Sequence, residues 1–101
     1  MPLAAAHLRL AQASLQRALD DLGTPTPSRA VYELDAVRLE IGAAGESLRD
    51  AKDLETVRSL RAATLEAVDE LGRSQARAPA RLRELDRRLD AFRRDLSGRL
   101  E

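Results

Sequence analysis

Acidic residues in the middle of the chain form the pattern that most resembles a metal site. Asp50 and Asp53 are three residues apart, as are Glu66 and Asp69, and Glu70 follows directly. Side chains three residues apart share one face of a helix, and Mg²⁺ requires several oxygen ligands that converge on one point. The pattern therefore permits a magnesium site only where the two acidic pairs meet.

Paired carboxylates of this kind resemble the motifs of all-helical nucleotide pyrophosphohydrolases, which hold magnesium against a triphosphate. The likeness implies a metal-dependent nucleotide pyrophosphohydrolase-like enzyme as one alternative function. If the chain turns near Asp53, however, Glu66 lies roughly 18 Å further along its helix at 1.5 Å per residue. We therefore predict a non-enzymatic protein with no catalytic residues, no metal and no cofactor.

His7 is the only histidine, and the chain has no cysteine. Metal sites built from several histidines or cysteines within one chain are thereby excluded. We interpret His7 as an ordinary surface histidine.

Arginines near the C-terminus form a basic line. Arg83, Arg87 and Arg94 fall within about 40° of one another on a helical projection and could contact phosphates. Acidic residues are interleaved with them, and no aromatic side chain is available to stack on bases. Weak nucleic-acid binding through these three arginines is accordingly the second alternative.

The composition predicts an all-α protein. Alanine and leucine supply most of the apolar share of 44%, and charged residues make up 34%; both favour helices over strands. Seventeen basic and seventeen acidic residues cancel, so no global field draws the chain to nucleic acid or a membrane. With no leader pattern and no long apolar run, we expect a cytoplasmic protein without a membrane span.

Breaks in the pattern predict one domain, an up-and-down bundle of four helices at about 3–22, 28–50, 54–71 and 79–97. We expect Gly23 to form a left-handed cap, and Thr26 or Ser28 to cap the second helix after the prolines. Asp53 is the predicted N-cap of the third helix, which we expect to end at Leu71–Gly72. The alternative is three helices with a long bent central helix, pairing as a dimer.

Two glycines and an arginine lie where a simple core would not place them. Gly42 and Gly45 interrupt the second helix; they mark either a close approach between helices, which we favour, or a kink. Arg61 falls near the centre of the apolar face predicted for the third helix from Leu54, Val57, Leu60, Leu65, Val68 and Leu71.

The last helix has the most regular apolar face. Its large apolar residues repeat with heptad spacing and fall within about 80° of one another, which is typical of a bundle or coiled-coil seam. They are Leu82, Leu85, Leu89, Phe92 and Leu96. We predict that this face closes the bundle core.

The first two helices have apolar residues on a second side. Leu3 and Leu10 project away from the main face of the first helix, and Tyr32 and Leu39 away from that of the second. An antiparallel pair places Leu10 and Leu39 at about the same level, and exposed apolar patches mark interaction surfaces. We therefore predict a helical interaction or assembly module whose partner is a second copy, forming a homodimer, or another helical protein.

Overall fold

A computed structural model describes residues 3–23, 28–74 and 76–100. Within these residues there are four helices and no strands: α1 (Leu3–Asp21), α2 (Ser28–Glu46), α3 (Ala51–Arg73) and α4 (Ala78–Leu100). Consecutive helices pack on one another, and α4 returns to pack on α1. The predicted all-α bundle of four helices is confirmed, and the alternative with one long central helix is wrong.

The connection between α2 and α3 differs in detail from the prediction. Asp50, not Asp53, is the N-cap of α3, and its side chain accepts hydrogen bonds from the backbone N–H groups of Lys52 and Asp53. These bonds satisfy two of the otherwise unpaired donors of the first turn. As a result α3 begins at Ala51, and Asp53 lies buried inside its first turn.

The predicted glycine caps are also wrong. Across the described residues no glycine has positive φ, so Gly23 does not form a left-handed cap; its N–H donates to the Asp20 carbonyl at 3.1 Å in a tight turn. Gly72 lies inside α3, which ends with the Ser74 N–H donating to the Glu70 carbonyl at 2.7 Å. The predicted caps at Thr26 and the Ser28 side chain lie outside what the structure describes.

Helices α1 and α2 form the most extensive helix pair of the bundle. The hydrogen bond between His7 and Glu40 sets their antiparallel register. In that register three buried alanines of α1, each seven apart, lie level with three buried residues of α2: Ala4 with Ala44, Ala11 with Val37, and Ala18 with Ala30. Small side chains at this interface let the two backbones approach closely.

The seam of α4 occupies the position predicted for it. All five residues of the seam are buried, and they join one core cluster with residues of the other three helices. Leu8, Leu15, Leu34, Ile41 and Leu60 are the large apolar side chains that the other helices bury completely or almost so.

The core face of α3 is rotated from the prediction. Leu65 is 54% exposed, whereas Thr64 and Ala67 are fully buried. Thr64 can be buried because its hydroxyl donates to the Leu60 carbonyl at 2.8 Å, which satisfies its polar atom. The rotation carries Arg61 out of the core to an exposed position.

Gly45 confirms the expected close approach of α2 to α3. A Cβ atom on Gly45 would lie 3.1 Å from Val57 Cγ1, closer than ordinary van der Waals contact. Gly42 is less crowded, since a Cβ there would lie 3.9 Å from the Arg61 guanidinium carbon. Of the two glycines, Gly45 therefore sets the spacing between α2 and α3. Gly42 lies next to the Arg61 side chain.

The rotated phase of α3 can be tested with two leucines of that helix. Leu60→Ala should lower the free energy of unfolding by about 2–5 kcal/mol, because it opens a cavity in the core. Leu65→Ala should change it by less than about 1 kcal/mol, because Leu65 is on the surface. Urea unfolding of both variants checks this, and an equal loss for the two would contradict the phase described here.

Candidate interaction surface

The exposed large apolar side chains of the described residues lie on three of the four helices. They are Leu3 and Leu10 of α1, Val31, Tyr32 and Leu39 of α2, and Leu65 of α3. Helix α4 contributes none of them: its large apolar residues with described side chains are buried. The apolar surface is therefore confined to the side of the bundle that has α2 at its centre.

The four residues predicted as an interface come together on the outer face of the α1–α2 pair. Two contacts fix the register: His7 with Glu40, and Arg17 with Glu33. In this register Leu10 lies level with Leu39, as predicted. The half-buried Ala36 and Ala43 lie on the side of α2 toward α1 and continue the apolar face between the two helices. We call Leu3, Leu10, Tyr32, Leu39, Ala36 and Ala43 the α1–α2 face.

Val31 and Leu65 were not among the predicted interface residues, because the apolar pattern placed Val31 on the main face of the second helix, beside Leu34, and Leu65 on that of the third. In the structure they border a shallow groove of about 280 Å³ between α2 and α3, together with Tyr32. Ala30 is buried in place of Val31. The seven-residue repeat of Ala30, Val37 and Ala44 is the sequence signal that could have revealed this phase.

His7 lies between Leu3 and Leu10 on the side of α1 that meets α2. Its Nδ1 atom is 2.7 Å from Glu40 Oε2, and both side chains are half-buried. The prediction of an ordinary surface histidine is thus too simple, because His7 ties α1 to α2 at the centre of the α1–α2 face.

The acidic pairs do not come together. Asp53 binds Arg99 at 2.7 Å, and Glu66 binds Arg81 at 3.4 Å. These two arginines are roughly 27 Å apart along α4 at 1.5 Å per residue. Within residues 3–23, 28–74 and 76–100, no three histidine, aspartate or glutamate side chains form a group that could hold a metal ion.

Two of the three outer arginines of α4 are held by neighbouring carboxylates. Arg87 forms a short ion pair with Glu84, which lowers the pKa of Glu84 below its ordinary value. Arg94 Nε is 2.8 Å from Asp90 Oδ2. Arg83 is exposed and has no ion pair in the part of the chain described. Arg83, Arg87 and Arg94 therefore do not form a row of three unpaired positive charges that could contact phosphates.

A polar cluster joins α4 to α1. Arg93 Nε donates to Gln12 Oε1 at 2.8 Å, and Arg93 Nη2 donates to Asp90 Oδ1 at 2.8 Å. Gln12 Nε2 in turn donates to Asp90 at 3.3 Å. The hydrogen bond from Arg93, and after it the one from Gln12, lowers the pKa of Asp90 below its ordinary value. These interactions fasten α4 to α1, on the side of α1 away from α2.

Comparison with known proteins gives no relative: no family model, no curated protein and no solved structure matches this chain. Among the helices described, none is long and apolar enough to cross a bilayer. The α1–α2 face therefore has to be interpreted from its own geometry.

The Asp90 cluster makes the stability depend on pH. Because the pKa of Asp90 is below its ordinary 3.8 in the folded chain, its charge stabilises the fold above that pH, and this contribution is lost as pH falls through the lowered pKa. The wild-type chain should therefore be more stable than Asp90→Asn at about pH 6, and the difference should shrink below about pH 4.

Urea unfolding at a series of pH values measures this difference. Asp69→Asn is the matched control, because it removes the same charge from an exposed carboxylate that has no bond to Arg93 or Gln12. A wild-type advantage over Asp90→Asn that stays constant down to about pH 2 would contradict the expected dependence.

Proposed function

We propose that this chain is a non-enzymatic helical interaction module that self-associates through the α1–α2 face. The observation that carries the proposal is the one-sided distribution of exposed apolar side chains. Tyr32 is 77% exposed, and Leu3, Leu10 and Leu39 are all more than half exposed, whereas no large apolar side chain described on α4 is exposed. Contiguous apolar surface on one side of a small protein is typical of an interaction site.

The chemistry of the polar side chains supports a binding role over a catalytic one. The carboxylates of the acidic motifs Asp53, Glu66 and Glu70 are each occupied by an arginine. His7 is engaged by Glu40. Groups that a hydrolase would direct at a substrate are used here to pair with other side chains of the bundle, mostly on a neighbouring helix, which favours the interaction module over the pyrophosphohydrolase-like alternative.

The nucleic-acid alternative has less support than self-association. Nucleic-acid binding would depend on the line of Arg83, Arg87 and Arg94. Two of these arginines are already paired with carboxylates of the same helix. Pairing lowers the local positive charge that phosphate binding needs. The cytoplasmic location stays a prediction from the sequence.

Replacing apolar residues of the α1–α2 face with glutamate tests the proposal. Leu10→Glu/Leu39→Glu should reduce the mass measured by light scattering from that of an oligomer to the 11.1 kDa of one chain. The reason is that four carboxylates in a dimer would be buried without partners. Both positions are exposed, so helical content and cooperative unfolding should be retained.

Ala91→Glu is the matched control, because Ala91 is exposed on α4, away from the proposed face. This variant should keep the mass of the wild-type chain. An unchanged mass for the double variant, or a wild-type chain that is monomeric at every concentration, would refute self-association through this face.

A further inference from the structure

The outer face of α2 alternates large and small side chains. Tyr32 and Leu39 are exposed, and each is followed four residues later by an alanine, Ala36 and Ala43. Residues four apart lie above one another on the same side of a helix. Each large side chain of α2 is thus next to a small one, so the surface has both protrusions and shallow depressions.

The charges of α2 show a second regularity. Six of its side chains are charged. Glu33 binds Arg17 of α1, Glu40 binds His7 of α1, and Asp35 binds Arg38 within α2. The other two, Arg29 and Glu46, have no ion pair within the described residues. They carry opposite charge and lie near opposite ends of the helix, roughly 26 Å apart along its axis.

We propose that two copies of this chain pair α2 against α2 in antiparallel order, across a two-fold axis that lies between the levels of residues 37 and 38. This inference rests on the self-association proposed above, and it specifies the partner helix and its register. Tyr32 then lies level with Ala43 of the second copy, and Ala36 lies level with Leu39 of the second copy. Each large side chain therefore meets a depression.

The same register brings the unpaired charges together. Arg29 of each copy lies level with Glu46 of the other, so the two-fold axis generates two intermolecular ion pairs. Both side chains are exposed and long enough to bridge two packed helices, whose axes are about 8–10 Å apart. A parallel arrangement would instead place Tyr32 on Tyr32, Arg29 on Arg29 and Glu46 on Glu46, and repel at both ends.

Helix α1 extends the interface beside this pairing. Leu3 and Leu10 lie on the flank of the α1–α2 face, and covering them would bury the remaining apolar surface of that face. A face about 26 Å long and two helices wide, about 20 Å, has a footprint near the lower end of specific interfaces. We therefore expect a reversible dimer.

Introduced cysteines test the register, since the chain has no cysteine of its own. In the antiparallel register, the cysteines of two Tyr32→Cys chains lie about 16 Å apart along the helix axis, too far for a disulfide. The same separation applies to the cysteines of two Ala43→Cys chains. Mixed together and oxidised, the two variants should form a cross-linked heterodimer on a non-reducing gel. Each variant oxidised alone should stay largely monomeric on the gel.

The outcomes separate the register from the proposed function. Cross-linking of each single variant with its own copy, without the mixed product, would mean a parallel pair and overturn the inference. Association by light scattering without any cross-link would place the interface away from α2 and overturn the inference while leaving self-association standing. A chain that is monomeric in light scattering would overturn both.

Charge-reversal variants test the two intermolecular ion pairs between Arg29 and Glu46, independently of the cross-linking. Arg29→Glu and Glu46→Arg should each weaken the dimer by about 2- to 30-fold, the range expected for losing two exposed pairs. The double variant Arg29→Glu/Glu46→Arg should restore the dissociation constant, because it recreates both pairs with reversed polarity. Additive weakening in the double variant would overturn the assigned register.

Discussion

The close packing of α1 on α2 is the constraint on which the rest of this bundle depends. Buried alanines repeat every seven positions on α1, and they lie level with Ala30, Val37 and Ala44 of α2. Large side chains of the inner faces, such as Leu8 and Ile41, fill the core, whereas Leu3, Leu10, Tyr32 and Leu39 lie outside it. An apolar outer surface follows directly from the way in which the two helices meet.

Polar and charged side chains also connect neighbouring helices of the bundle. His7 and Glu40 link α1 to α2, Arg99 and Asp53 link α4 to α3, and the Gln12 cluster links α4 to α1. Asp53 raises the pKa of Arg99, as expected for a carboxylate that favours the charged guanidinium. Within α2 the other four charged side chains are all paired, which leaves Arg29 and Glu46 as the charges of that helix without an ion pair among the described residues.

Much of the fold could be predicted from the sequence wherever a single periodicity dominates. The α4 seam is the clearest case, because its leucines and Phe92 leave no competing face. The face of α3 was predicted wrongly because hydrophobicity alone favours burial of Leu65 over Thr64, the reverse of what the structure has. A threonine hydroxyl that bonds to the preceding turn is satisfied without water, so Thr64 is buried and Leu65 is excluded.

The start of α3 was misplaced for a related reason. Asp50 and Asp53 are equally good N-caps by residue type, and the choice depends on Asp53 having a partner in Arg99, far along the chain. Long charged side chains have several possible partners within reach, and only the packed structure selects among them. The exposure of Leu3, Leu10, Tyr32 and Leu39 could be predicted, because a second apolar stripe on a helix is visible in the sequence. The exposure of Val31 was not predicted, because Ala30 takes the buried position at the start of α2, and that of Leu65 was not, because the phase of α3 was misjudged.

The amide NMR spectrum of the unmodified protein, followed through a dilution series, tests the central claim most directly. Self-association through α2 should give concentration-dependent shifts for residues along the outer face of that helix, above all Tyr32, Ala36, Leu39 and Ala43, with smaller changes near Leu3 and Leu10. The outer residues of α4, such as Arg83 and Ala91, should not shift. Spectra that are independent of concentration, or shifts centred on α4, would contradict it.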